Sequence, residues 1–400
     1  MSQSVFVLEN PVQSYAWGSR TAIAELLGRP VPSPGPEAEL WIGAHPKAPS
    51  RVVAPAGLGT LDQEIANDPV GILGREVCDR FGNELPFLLK VLAAAEPLSI
   101  QAHPSSEQAR RGWERENAEG VPVEAPRRSY RDPNHKPELV CALTPFVALK
   151  GFRPVAEIVR NLEPFARPQV GPELGRLARD ETPLALRALF ARLMTLDAEE
   201  QAPLLARATG ESGRRLGGDP AWAWAARLLA RYPGDVSALA PLYLNLLVLA
   251  PGDALFLPAG ELHAYLEGTA LEIMANSDNV LRGGLTSKHV DVPELLSTLV
   301  FEGRAPEVLK ATEAGPGELV YRTPAREFEL SLLHLEPGRR FAPGPGRGVE
   351  ILLGLAGVPR LLAGRQAIPL GPGRSALVPA AVDAYAIEGG GRVCRARVPA

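Results

Sequence analysis

The sequence predicts a mainly β protein with a helical insertion: two jelly-roll β-barrels plus an α-helical domain. Three observations carry this. Short apolar runs bounded by turn residues fill the first 150 residues and return after Leu242, with Gly/Pro turns roughly every 8–12 residues, as in sandwiches and barrels. From Val155 to about Pro241 the apolar period becomes that of amphipathic helices. Finally, the two β regions share a repeat: Gly252–His263 (GDALFLPAGELH) aligns with Gly373–Ala384 (GRSALVPAAVDA) at an offset of 121 residues.

In chain order, strands are expected at Ser4–Leu8, Ala38–Gly43, Leu85–Ala93, Leu98–His103, Leu139–Leu143 and Phe146–Leu149, with helices near Arg20–Leu27 and Ser105–Asn117. In the insertion Leu186, Leu189, Phe190 and Leu193 fall at i, i+3, i+4 and i+7, the stripe of a helix that buries one face. Ala221–Leu229 behaves similarly. The insertion reads as a cover over one rim of the first barrel, its Leu stripe being core. The expected division is a catalytic module of residues 1–153 and 241–300, a helical insertion of 154–240, and a degenerate C-terminal barrel of 301–400. In each repeat the Gly opens a turn into a buried strand, and the Pro and small residue make a second turn. The residue three places on is expected to point into the barrel: His263 in the first copy, Ala384 in the second. The first barrel is then metal-competent and the second is not.

Composition narrows the function. With 400 residues, 46% of them hydrophobic, there is ample material for real cores. A net charge of −4 argues against nonspecific nucleic-acid binding, which needs a broad basic face. Three widely spaced cysteines (Cys78, Cys141, Cys394) without CxxC argue against a disulfide framework or a cysteine-ligated zinc, and point to the cytoplasm. The N-terminus lacks the basic and apolar regions of a signal peptide. The richest apolar stretch, Leu244–Pro258, is broken by Pro251, Gly252 and Asp253, so no membrane span is expected. Only six of the 42 Lys and Arg residues are Lys; in so Arg-biased a chain, a Lys that persists is a candidate for chemistry needing a titratable amine.

Gln101 and His103 project from one face of an expected strand, with Ile100 and Ala102 on the other. Glu138 ends a polar run at the mouth of the next strand. With His263 the set is two imidazoles, one carboxylate and one amide oxygen. That mixture suits Zn²⁺, or another borderline divalent ion, with a position left open for water or substrate. A non-haem iron oxygenase uses two His and one carboxylate, and Gln101 argues against it. A non-catalytic storage or sugar-sensing protein would not need Lys136, Arg282 and Lys288 near the metal.

Several segments resemble type I phosphomannose isomerases of the cupin superfamily. They are Val12–Gly18 (VQSYAWG), Ala38–Lys47 (AELWIGAHPK), Leu85–Leu92 (LPFLLKVL), Pro97–Pro104 (PLSIQAHP), Tyr130–Leu139 (YRDPNHKPEL), His263–Gly268 (HAYLEG) and Leu271–Lys288 (LEIMANSDNVLRGGLTSK), in family order. The resemblance implies cupin-type barrels, a metal (usually zinc) on Gln101, His103, Glu138 and His263, and interconversion of mannose 6-phosphate and fructose 6-phosphate through an enediol. It places the family's active-site arginine on Arg282 and its proton-transfer and ring-opening residues on Lys136, His135 and Asp278. The chain departs from the family at Leu262, Gly283 and Ser287, where Pro, Ala and Pro are usual; none of these removes a functional side chain.

Aldose–ketose exchange moves a proton between C2 and C1, so it needs a base and a stabiliser for the developing oxyanion. Lys136 is the candidate proton shuttle. Arg282, in a loop followed by Gly283 and Gly284 that let a backbone approach a ligand closely, is the candidate oxyanion or phosphate partner. Lys90, Ser99 and Lys288 are candidates for the phosphate, and Tyr265 and Trp17 for the sugar site, Trp17 and Trp41 reading mainly as wall. Glu272 is a further acid–base candidate, read in preference as a partner orienting His263 or Arg282. The expected ligand is a small sugar phosphate, with no nucleic-acid or membrane partner and a monomeric chain.

Overall fold

The computed structural model describes residues 4–54, 59–344 and 346–399. Its strands form three hydrogen-bonded networks of ten, eight and four strands. The ten-stranded network is organised by one long strand, His263–Ala275. The beginning of this strand pairs with Phe146–Phe152 and meets Gln101 of the short strand Ile100–Ala102. The rest pairs with Phe87–Ala94 on one side and Glu138–Ala142 on the other.

The central strands are apolar almost throughout because both of their faces are covered. Phe87–Ala94 is buried at every position. Phe87, Leu89, Val91 and Ala93 enter the core shared with the C-terminal module, beside Leu139, Cys141, Leu271, Ile273, Ile351 and Leu353. The alternate positions face inward, and that inner face carries the charges: Glu39, Lys90, Glu138 and Glu272, all buried. The two-residue period of a strand thus separates an apolar outer face from a polar lining.

The helical insertion runs through Val155–Asp180, Pro183–Met194, Ala198–Arg215 and Pro220–Arg231. The first helix kinks at Val170, just before Gly171 and Pro172, where the pre-proline residue disfavours α geometry and Pro removes a donor. Leu186, Leu189, Phe190 and Leu193 are buried, as their spacing predicts, in a core that also takes in Ile100, Leu149, Leu262 and Leu281 of the catalytic module. The insertion therefore caps one rim of that module.

In the C-terminal module an eight-stranded and a four-stranded sheet enclose Leu352, Leu361, Ile387 and Val393. Two strands from the start of the chain, Phe6–Glu9 and Arg51–Ala54, complete the larger sheet: Phe6 pairs with Leu377 and Leu8 with Val52. By hydrogen bonding they belong with residues 301–400 rather than with the catalytic network. The repeat is visible as matching turns, Gly252 at φ 90° and Gly373 at φ 73°, each opening a four-residue strand. Its last position differs from expectation. His263 begins a strand and is buried, whereas Ala384 lies exposed in a loop and the next residue, Tyr385, points inward. There the Tyr385 hydroxyl donates to buried Glu350, which also pairs with Arg395, so an ion network fills this interior.

Candidate active site

His103 lies just beyond Ile100–Ala102, Glu138 begins its strand, and His263 begins the long one. Ligand atoms of these three buried residues all lie within 4.8 Å of one another, and among the described residues this is the one such His/Cys/Asp/Glu cluster. Glu138 receives both rings, with Oε1 3.2 Å from His103 Nε2 and Oε2 3.5 Å from His263 Nε2.

The chemistry of the donor set fits a zinc ion. Each His Nδ1 faces a backbone carbonyl, Asn279 O at 2.8 Å for His103 and Glu261 O at 3.0 Å for His263. A carbonyl only accepts, so both Nδ1 atoms carry the proton and both Nε2 lone pairs are free for a metal. Burial pushes the His103 pKa down to about 4, against the pull of Glu138, so its ring stays neutral. Its Nε2 is buried without a hydrogen-bond partner. Burial alone would raise the Glu138 pKa, yet the Lys136 ammonium holds it well below the usual carboxylate range, so an anionic ligand is available. Gln101 lies opposite His263 in the strand register and lines the same small cavity as Glu138, His263 and Tyr265. The Tyr265 hydroxyl is buried there without a partner.

Outward from this centre opens a cleft of about 730 Å³ lined by Trp17, Lys90, Ser99, Gln101, Lys136, Asp278, Arg282 and Lys288. Lys136 Nζ sits 3.1 Å from Glu138 Oε1. Arg282 pairs in register with Gln101 across the neighbouring strands. Burial and mutual repulsion with Arg131 lower the Arg282 pKa, and burial, Arg282 and Arg131 lower that of Lys288. Among the described residues no carboxylate pairs with Arg282 or Lys288, which leaves the rim ready for an anion. Asp278 is held by Lys47 at 2.9 Å and faces His45 at 3.8 Å.

Four expectations change. His135 does not enter the cleft; its Nε2 lies 2.8 Å from Glu327 Oε1, in a separate cavity against the C-terminal module. Lys90 is no free cation for a phosphate, because its Nζ lies 2.9 Å from Glu272 and 3.6 Å from Glu39. Glu272 accordingly partners Lys90 rather than His263 or Arg282. The room at Gly284 is taken by protein: a Cβ there would lie 2.1 Å from Ser237 Cβ, so this glycine admits the insertion and not a ligand.

Trp41 is buried wall, its indole Nε1 donating to Glu39 at 2.7 Å, while Trp17 lines the cleft and stacks on Tyr15 with ring centroids 5.8 Å apart. Sequence reasoning missed Glu39 and Asn279 as site residues. Glu39 was visible through its alternation with Leu40 and Trp41. Asn279, which orients His103 through its carbonyl while its side chain ties down Arg131 and Asp132, left no local signal.

Residues 5–155 match the family model described as phosphomannose isomerase type I, catalytic domain. The mannose-6-phosphate isomerase of Escherichia coli (strain K12) is 43% identical over 390 residues, covering 97% of this chain and 98% of the relative. The human mannose-6-phosphate isomerase is 40% identical over 324 residues, covering 74% of this chain and 73% of the relative. A crystal structure of a phosphomannose isomerase point mutant from Salmonella typhimurium superposes with TM-score 0.93 at 41% identity, covering 99% and 100% of the two chains. A zinc-bound mannose 6-phosphate isomerase structure superposes with TM-score 0.92 at 41% identity, with the same coverage.

Proposed function

This chain belongs to the type I phosphomannose isomerases: it interconverts D-mannose 6-phosphate and D-fructose 6-phosphate with a zinc cofactor, and we propose that Lys136 and Arg282 divide the chemistry between them. The observation that carries this reading is the Nδ1-anchored pair His103 and His263 converging on ionised Glu138 beneath a cleft with a cationic rim.

His103, Glu138 and His263, with Gln101 beside them, would hold the zinc. When bound it supplies Lewis-acid polarisation of the sugar's carbonyl or hydroxyl oxygen. Lys136, tied to Glu138 and facing the cleft, moves the proton between C2 and C1 of the open-chain sugar. Arg282, desolvated and without a carboxylate partner among the described residues, donates to the enediolate oxygens as charge develops there. Lys288 and Arg282 together suit the phosphate dianion, and Ser99 and Trp17 line the path of the sugar. Asp278, at the cleft wall beside His45, is the ring-opening candidate. Buried Lys90, paired with both Glu39 and Glu272, forms an ion-paired backing to the site.

No helix is long and apolar enough to cross a membrane among the described residues. We further read the chain as a monomer of the cytoplasm without a nucleic-acid partner; its three unpaired cysteines and net charge of −4 support this. A coupled assay with mannose 6-phosphate, run with metal analysis of the purified protein, tests the whole assignment. Turnover that survives complete removal of zinc would refute the metal's role.

A further inference from the structure

Among the described residues two non-glycine positions have positive φ: Glu181, at a helix end, and Leu285, between the strand that carries Arg282 and the loop residue Lys288. Leu285 is buried at φ 52°, a left-handed conformation that an L side chain adopts only when its surroundings enforce it. The enforcing groups come from the helical insertion. The Leu285 N–H donates to Asp235 Oδ2 at 3.0 Å and to Ser237 Oγ at 2.7 Å. Asp235 Oδ1 in turn accepts from the Ser237 backbone N–H at 2.8 Å and from the Ser237 hydroxyl. One carboxylate thus folds its own short helical turn, Val236–Leu239, and reaches across to the catalytic module. Gly284, at φ 125°, leaves the space that Ser237 occupies.

The location gives this clamp a function. The strand Leu281–Gly284 carries an irregularity between Arg282 and Gly284, and Leu285 then turns the chain so that Arg282, Thr286, Ser287 and Lys288 all line the cleft. An extended Leu285 would carry Lys288 away from Arg282. A hydrogen bond made only to stabilise the insertion would need no strained partner at this position.

We propose that Asp235 and Ser237 are positioning residues for the isomerisation: by holding Leu285 left-handed they set the placement of the Arg282 guanidinium relative to the Lys288 ammonium. The inference rests on the reading that these two cations meet the substrate. The insertion then tunes the site as well as covering it.

The test uses the full-length zinc enzyme. Asp235→Ala should lower kcat/KM for mannose 6-phosphate about tenfold to a hundredfold, since small misplacements of positioned groups cost that much. Both kcat and KM should change, while zinc content and the circular dichroism spectrum match wild type. Adding Leu285→Gly should recover most of the loss, because glycine adopts this conformation without an enforcing partner. Unaltered kcat and KM in D235A, or a loss that L285G leaves untouched, would overturn the proposal. If D235A does not fold, Ser237→Ala removes one acceptor only and should show a smaller deficit with the same glycine rescue; wild-type kinetics in S237A would then overturn it. Arg282→Lys, measured alongside, separates the two ideas. Full turnover in R282K sinks the role given to Arg282, whereas a crippled R282K beside an intact D235A sinks only the positioning role.

Discussion

Lys90 and Glu272 face one another across paired antiparallel strands, both buried, with Nζ 2.9 Å from Oε2. Two charges in such a place persist because each solvates the other, and Glu39 joins them at 3.6 Å. Removing one partner leaves the other desolvated and unpaired.

Lys90→Met should therefore cost about 3–5 kcal/mol of stability near neutral pH. Burial already raises the Glu272 pKa above its ordinary value, against the pull of Lys90, and the substitution removes that pull. A carboxyl whose folded pKa exceeds its unfolded one destabilises the fold as pH rises through the folded value. The penalty should shrink as the solution is acidified and Glu272 takes up a proton. Urea unfolding at pH 5 and pH 8 checks this, and a penalty of the same size at both would contradict it.

His103→Ala and Glu138→Gln should each abolish stoichiometric zinc binding, seen by elemental analysis after dialysis. Gln101→Leu leaves three donors and should weaken zinc about tenfold to a hundredfold without preventing it. In wild type, chelation should lower the thermal midpoint along with activity, since a metal bound only by the folded state stabilises it by mass action.

Lys136→Met should stop exchange of the substrate C2 proton with solvent, followed by deuterium incorporation in NMR, while zinc content stays at the wild-type level. Exchange at the normal rate in this variant would return Lys136 to a purely electrostatic partner of Glu138.

Arg282→Lys should reduce kcat by about two to three orders of magnitude with a smaller change in KM, as for a donor that acts where charge develops. The compact ammonium keeps the charge but loses the planar fork. A rise in KM alone would reassign Arg282 to ground-state phosphate binding.

Glu327→Gln should alter acid stability with little effect on turnover. Burial would raise the Glu327 pKa, but its bond from His135 outweighs burial and holds it below the usual value. A depressed carboxyl stabilises the fold above its unfolded pKa of about 4.3 and loses that contribution as pH falls through the folded value. The variant should thus be less stable by about 1 kcal/mol at pH 7, with the difference shrinking as acid protonates Glu327 in the folded wild type, measured by thermal melts across a falling pH series.

Much of this molecule was legible in one dimension, and the reason is periodicity. Alternation placed Gln101 on one face and Ile100 and Ala102 on the other, and the structure keeps that division: Ile100 and Ala102 lie in the core beneath the helices, while Gln101 lines the cleft. The i, i+3, i+4, i+7 stripe of Leu186, Leu189, Phe190 and Leu193 is buried as its spacing requires. Residue chemistry offered Gln101, His103, Glu138 and His263 as candidate metal donors, of which His103, Glu138 and His263 come together in the structure, and long motifs in family order pointed to the reaction.

Pairing between distant segments was not legible, because nothing local records which partner a side chain meets. His135 and Lys136 are neighbours in sequence, yet one turns to Glu327 of the C-terminal module and the other to Glu138 in the site. Lys90 looked like a free cation until the strand register set Glu272 against it. Ala384 occupies the repeat position of His263, but a strand beginning later leaves it exposed and turns Tyr385 inward. Gly284 announced a close approach without naming the visitor, which proved to be Ser237. By itself the sequence determined the fold class through residue type and local period, and the family and its reaction through long motifs in family order. Tertiary structure decided which charges are neutralised, which loop is strained and which histidine is excluded, because those depend on contacts between residues tens to hundreds of positions apart.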